Sequence, residues 1–325
     1  MKNYLWYLGK SSSNNILSSG LGDWNDIGKK TLGPAQLTPV KLTATAIYFY
    51  DLSLMAKMAK ITGNKEDAEN YGKLAKEVKI SFNKIFYNDS LHVFSTGSQT
   101  AMSMPLYLGL VDEGYRDFVI KNLTDSIKHN KNRITAGDIG FFFLIKTLEN
   151  GGKSQLIYDM ISQDDVPGYA LQLKKGATTL SESWAANIKA SNNHLMLGHA
   201  MEWFYSGLAG ISQDDSSVAY KKIIISPQPV SDISWVKCSF NSPSGKITSD
   251  WEITNKTFLL IVEIPVNTIA DINLPTRNSN CVFETGKKIK HCKDIKIISK
   301  PGENIKIQLG SGNYKFKVVK YINEN

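Results

Sequence analysis

Apolar positions recur in two alternating forms along the first two thirds of the chain. Residues 38–61 are apolar on nearly every side of a helix (Val40, Leu42, Ala46, Tyr48, Phe49, Leu52, Met55), a pattern that calls for cover all round. Thr38 suits the N-cap of that helix, Pro39 its first position and Gly63 its end. Residues 64–87 carry a single stripe instead (Ala68, Tyr71, Leu74, Ala75, Val78, Phe82, Ile85) opposite a lysine-rich face, with Asn64 and Asp67 spaced as a capping pair. The alternation then repeats. Residues 100–110 are mostly apolar, and residues 112–128 carry the stripe Tyr115, Phe118, Val119, Leu123, Ile127. Residues 138–148, around Phe141, Phe142 and Phe143, are apolar again, and residues 153–160 are short and amphipathic. Residues 195–208 predict one more inner helix.

Hairpins pairing a buried helix with a half-buried one describe an inner ring of helices wrapped by an outer ring. Three hairpins and a further inner helix are present, whereas a closed toroid of this kind needs about six hairpins. The expectation is therefore a partial (α/α)6 toroid, completed by an upstream segment or a partner chain. After Gly210 the pattern changes to short runs separated by turn residues. Ile305, Ile307 and Leu309, like Tyr314, Phe316 and Val318, alternate with polar residues, while residues 258–264 are apolar on both faces and belong in a sheet centre. About eight strands closing an antiparallel β-sandwich follow from these runs. The polar stretch 213–217 places the domain boundary, giving residues 1–212 and 213–325.

Composition narrows the function classes. The net charge of +8 arises from lysines interspersed with acids, as in Lys65, Glu66 and Asp67, and no basic block carries interleaved aromatics. A solvated surface is expected, with no nucleic-acid partner. Apolar runs are too short to cross a bilayer, and residues 1–10 do not form a secretory signal. Cys238, Cys281 and Cys292 lack metal-ligand spacing and are too few for a disulfide framework. No metal and no cofactor are expected.

Candidate chemistry lies where loops enter the inner helices. Residues 22–26, 95–99, 135–138 and 176–194 should gather at one mouth of the toroid, because each precedes an inner helix of the same direction. The last of these brings Glu182, Trp184 and His194 together: a carboxylate that can activate water, an indole face that can cover a pyranose, and an imidazole that can bond its hydroxyls. Each has a plainer reading, as a solvated loop acid, a core aromatic and a helix cap. Trp24 with Asp23 invites the same pairing of sugar platform and hydroxyl contact, and Asp138 is either a mouth carboxylate or the N-cap of the Phe141 helix.

The order of segments resembles the C-terminal part of bacterial α-L-rhamnosidases of glycoside hydrolase family 78. The matching runs include Gly22-Asp23-Trp24, Thr135-Ala136-Gly137, Val166-Pro167-Gly168-Tyr169, Gly176-Ala177-Thr178-Thr179, Glu182, Trp184, Asn193-His194, Glu202-Trp203 and Ser249-Asp250-Trp251. The resemblance implies an (α/α)6 barrel followed by a C-terminal β-sandwich, and hydrolysis of terminal α-L-rhamnosyl residues with inversion. It implies Glu182 as general base and His194 as a sugar-binding residue, with a rhamnosylated glycan or glycoside as partner; Asp23, Trp24, Asp138, Tyr169 and Trp184 join them as substrate-binding candidates by their place in the loops at the mouth. The family's general acid lies in an acidic, arginine-containing motif ahead of the Gly22-Asp23-Trp24 segment, and no such run stands between Met1 and Ser19. Ser181 stands where the family commonly has tryptophan. The expectation is a chain carrying the general-base half of a glycosidase site, the alternative being a truncated non-catalytic remnant or a carbohydrate-binding module.

Overall fold

The computed structural model describes residues 1–185 and 191–321. Part of the 176–194 segment, residues 186–190, lies outside the described residues. The chain divides into two compact units, one of residues 1–151 and 159–199, the other of residues 152–158 and 200–325.

In the first unit, α1 (Lys2–Ser11) leads into the hairpin of α2 (Val40–Ile61) and α3 (Lys65–Phe86), and then into α4 (Gln99–Leu108), α5 (Arg116–His129) and α6 (Gly140–Asn150), while α7 (Ser154–Ile161) begins in the second unit and ends in the first. A short α8 (Tyr169–Lys174) follows, and a two-residue ladder, β1 (Tyr87–Asn88) with β2 (Val93–Phe94), links α3 to α4. The inner and outer character expected from periodicity is present. Residues 99–106 of α4 are all buried, and eight of the eleven residues of α6 are buried, while α3 buries only Ala75, Val78, Phe82 and Phe86. The Asn64 cap forms as expected, its Oδ1 accepting from Asp67 N at 3.1 Å while its amide donates to Asp67 Oδ2 at 2.7 Å. The start of α2 differs by one position: Pro39 is the N-cap, because the Thr38 hydroxyl is paired at 2.6 Å with that of Ser98, which itself caps α4. Cover on α2 is also uneven. Leu42, Ala46, Tyr48 and Leu52 are buried, whereas beyond Leu52 only Ala59 is.

The expected inner helix over 195–208 is broken. Leu195–Leu197 is a 3-10 turn, α9 (Ala200–Trp203) is a single turn, and Phe204–Leu208 widens to a π-helix. Gly198 separates the first two pieces, and the chain passes from one compact unit to the other between His199 and Ala200.

The second unit carries a six-stranded sheet in the order β10-β9-β13-β7-β6-β5 and a five-stranded sheet in the order β11-β12-β8-β4-β3. The strands are β3 (Ile211–Gln213), β4 (Lys222–Ile225), β5 (Trp235–Ser242), β6 (Gly245–Thr254), β7 (Thr257–Ile264), β8 (Ile269–Asn273), β9 (Val282–Glu284), β10 (Lys287–Lys288), β11 (Lys296–Ile297), β12 (Lys306–Leu309) and β13 (Gly312–Val319). Each sheet has one buried face, made by Phe258, Leu260, Val262 and Phe316 in the larger and by Ile223, Ile225, Ala270, Ile272 and Ile307 in the smaller, as two sheets sharing one apolar layer require. The ladders are antiparallel with one exception: β4 and β8 pair in parallel, Lys222 opposite Ile269 and Ile225 opposite Ile272. Three strands of the other sheet, β5 to β7, lie between them in sequence, so four connections separate β4 from β8, and an even number of reversals returns the chain in its starting direction. Cys238, Cys281 and Cys292 are all free thiols of intermediate burial.

Candidate functional site

A buried carboxylate organises the mouth of the first unit. Asp23 is fully buried; its Oδ1 accepts from Gly140 N at 2.7 Å, and its Oδ2 from Gly137 N at 3.0 Å and from the Thr100 hydroxyl at 2.5 Å. Burial pushes its pKa up from 3.8 to about 6, against the pull of those three donors and with a small push from the Asp26 charge. Both glycines are needed because the loops approach so closely. A Cβ at Gly137 would stand 2.1 Å from the Trp24 carbonyl oxygen, and one at Gly140 would stand 1.9 Å from the Thr100 hydroxyl. Asp23 is thus fastened to protein donors at both oxygens, where the sequence reading put a substrate hydroxyl. Asp26, also fully buried, accepts from Gln36 N and Leu37 N. Gln99 completes the frame, accepting from Thr135 N and Ala136 N and donating to the Arg133 carbonyl.

Glu182 sits in a loop clamped from three sides. Its neighbours Ser181 and Ser183 are buried, and Gln172 of α8 holds both, accepting from Ser181 N at 3.4 Å and donating to the Ser183 carbonyl at 3.2 Å. Asn25 donates to the carbonyl of Glu182 itself at 3.3 Å. Residues 180–182 and 191–194 run past one another, with Glu182 N to Ser191 O at 2.8 Å and His194 N to Leu180 O at 3.2 Å. The Glu182 side chain stays half-exposed, and its Oε2 accepts from Ser191 N at 3.3 Å. A fixed backbone under a partly open carboxylate is the arrangement a general base requires.

His194 and Asp138 meet beside it. His194 Nε2 lies 3.1 Å from Asp138 Oδ2, with the two side chains 18% and 7% exposed. Asp138 does not cap α6, whose N-cap is Ile139; its own N–H donates to the Trp24 carbonyl at 2.8 Å. Burial raises the Asp138 pKa, the charge and hydrogen bond of His194 oppose the rise, and the Glu182 charge adds to it. The charges of Glu182 and His194, both felt at Asp138, place the three side chains in one electrostatic neighbourhood.

The two indoles separate. Trp184 is 2% exposed, donates through Nε1 to the Ala136 carbonyl at 2.9 Å, and meets the rings of Phe141 and Tyr169 edge-on at 4.7 and 5.2 Å. It is a strut between loops and has no open face for a sugar. Tyr169, itself half-buried, gives its hydroxyl to the Leu197 carbonyl. Trp24 keeps partial exposure at the mouth. Sequence reasoning therefore found the loops but missed what holds them: Asn25, Gln99, Thr100 and Gln172. Only Asn25 left a signal, since asparagine tolerates the left-handed backbone it adopts there, φ 59°. Among the described residues no group of three or more His, Cys, Asp or Glu is arranged to hold a metal ion.

Residues 1–208 match the bacterial alpha-L-rhamnosidase 6 hairpin glycosidase domain, and residues 210–288 match the bacterial alpha-L-rhamnosidase C-terminal domain. The chain is 30% identical over 289 residues to an alpha-L-rhamnosidase of Formosa agariphila, covering 86% of this chain and 31% of that protein. An alpha-L-rhamnosidase of Alteromonas sp. is 26% identical over 333 residues, covering 98% of this chain and 35% of its own length. The solved alpha-L-rhamnosidase of Dictyoglumus thermophilum superposes with a TM-score of 0.87 at 30% identity, over 98% of this chain and 36% of that one. That of Streptomyces avermitilis, solved with L-rhamnose, also gives 0.87 and, at 24% identity, supports the fold. The chain thus spans about a third of the length of the relatives it matches.

Proposed function

The chain belongs to the bacterial α-L-rhamnosidase family of six-hairpin glycosidases, and on that premise we propose that it hydrolyses terminal α-L-rhamnosyl residues with inversion, Glu182 acting as general base. The observation that carries this reading is the setting of Glu182: a half-exposed carboxylate, held through its backbone by Asn25 and Ser191 and through its neighbours by Gln172, beside the Asp138–His194 pair. In the proposed reaction the Glu182 carboxylate takes a proton from water as that water attacks the anomeric carbon. Trp24 supplies the apolar face under the sugar ring and His194 bonds a ring hydroxyl. Trp184 and Tyr169 serve the pocket by fixing its wall. The substrate class is a rhamnosylated glycan or glycoside.

Inversion needs a second carboxyl group as acid, roughly 6.5–9.5 Å from the base, to protonate the leaving oxygen. We assign that acid to a segment other than residues 1–325, on the expected acidic, arginine-containing motif, which does not occur between Met1 and Ser19. The greater length of the relatives supports the same assignment.

The test is release of rhamnose from an aryl α-L-rhamnoside by the protein at its natural full length, against the Glu182→Gln variant. Turnover is expected to fall by about two to four orders of magnitude, and proton NMR of the first product should show the inverted anomer. Undiminished turnover in Glu182→Gln would remove Glu182 from the mechanism, and retention of configuration would exclude the base role.

A further inference from the structure

Resting on that reading only for the identity of the sugar, we propose that the outer face of the larger sheet in the second unit is a glycan-binding surface, on which the indole of Trp235 stacks against pyranose rings of the rhamnosylated substrate. The face follows from strand register. Trp235 stands opposite Glu252 and Lys237 opposite Asp250, and in the next ladder Glu252 meets Leu259 and Asp250 meets Ile261. Side chains two apart on a strand share a face, so these residues form a grid of two rows over β5, β6 and β7, about 10 Å across and about 7 Å along. The residues that alternate with them on β6 and β7, Trp251, Phe258, Leu260 and Val262, are buried. The grid lines an open depression of about 290 Å³.

Three properties suit it to a sugar. First, Trp235 is 61% exposed, and its indole N–H has no partner among the described residues, whereas Trp184, Trp203 and Trp251 each give theirs to a protein oxygen. Such an indole presents an apolar face and a free donor together, which matches the C–H face and hydroxyl rim of a pyranose. Second, Leu259 and Ile261 extend the apolar floor beside it. Third, the polar groups are available and of both kinds. Lys237 and Glu252 are exposed and make no side-chain bond among the described residues. Asp250 Oδ1 accepts from Cys238 N at 2.9 Å, which orients the carboxylate and leaves Oδ2 for a ligand.

That mixture of groups selects the occupant. A hydroxyl both donates and accepts, so a polyol satisfies the ammonium and the two carboxylates alike. A polyanion would be repelled by Asp250 and Glu252, and a protein partner would bury three charges at the cost of their hydration.

The experiment is electrophoresis through gels containing a neutral α-L-rhamnan, with the protein at natural full length and Glu182→Gln in place so that the polymer is not cut. Adding Trp235→Ala should weaken the apparent affinity by about tenfold, while Trp235→Ala alone leaves turnover of an aryl α-L-rhamnoside unchanged. Lys237→Ala, a change at an exposed side chain, should weaken retardation in the same direction and serves if Trp235→Ala fails to fold. Equal retardation of Glu182→Gln with and without these changes would overturn the proposal. So would retardation by dextran sulfate in place of rhamnan, or a dimer in sedimentation that Trp235→Ala dissolves. The two readings part cleanly: a wild type that releases no rhamnose sinks the catalytic one, and Trp235-dependent retardation still establishes the surface.

Discussion

The side chain of Asn25 donates a hydrogen bond to the backbone carbonyl of Glu182, across 157 positions of sequence. One loop of the mouth therefore sets the height of the carboxylate carried by another. Replacing Asn25 by alanine removes that donor and places a residue less tolerant of φ 59° at the same point. The expected outcome is a loss of about tenfold in kcat/KM, equivalent to one hydrogen bond of about 1.4 kcal/mol. Steady-state kinetics beside a thermal melt checks it; unchanged kinetics would mean that Glu182 is held without Asn25.

Asp23 predicts a pH dependence of stability. Its folded pKa, about 6, lies above its ordinary 3.8, so the native state binds the proton more tightly than the unfolded chain. Its contribution is therefore fully present below about pH 4 and is lost as pH rises through 6, an effect of about 3 kcal/mol. Denaturant titrations between pH 4 and 7 should show this slope in wild type and a flatter one in Asp23→Asn. Parallel curves for the two proteins would contradict the assignment.

Two glycine substitutions should move stability in opposite directions. Gly137→Ala drives a methyl group into the backbone at Trp24 and Asp26, with separations of 2.1 and 2.6 Å, and is expected to cost about 3 kcal/mol or more. Gly72→Ala lies inside α3 with nothing within 4 Å of the new methyl group, and should stabilise by about 0.5–1 kcal/mol. Melting curves read both signs directly.

The two mouth tryptophans should also divide. Trp184→Ala opens a cavity and strands the Ala136 carbonyl, with an expected loss of about 3–5 kcal/mol in stability. Trp24→Ala is expected to raise KM for a rhamnoside while the melting temperature changes little. The reverse assignment of the two effects would place the sugar against the wrong indole.

Much of this was legible in the chain. Periodicity separates α4 and α6 from α3 and α5 because burial on all sides or on one leaves an imprint in every turn, and the Asn64–Asp67 cap is a local signal with a local cause. What escaped was set by distant partners. Thr38 reads as a cap until Ser98 is beside it, and Asp23 reads as a ligand-binding acid until Gly137, Gly140 and Thr100 surround it. Asp138 reads as a helix cap by spacing, and only the hairpin-like passage of residues 191–194 brings His194 to it. The break at Gly198 was hidden because the buried residues Leu197, Ala200 and Trp203 keep helical spacing across it.

The parallel pairing of β4 with β8 is a contact that the chain can close only over a long loop. Lys222 and Ile269 become neighbours only after the intervening forty-odd residues have been laid down, and closing so long a loop is entropically expensive before other contacts hold its ends. The β5-β6-β7 meander, by contrast, needs only short-range reversals at each turn. The meander is thus the locally closed part of this unit, and each sheet is completed by a pairing of strands more than forty positions apart, β4 with β8 in the smaller and β7 with β13 in the larger.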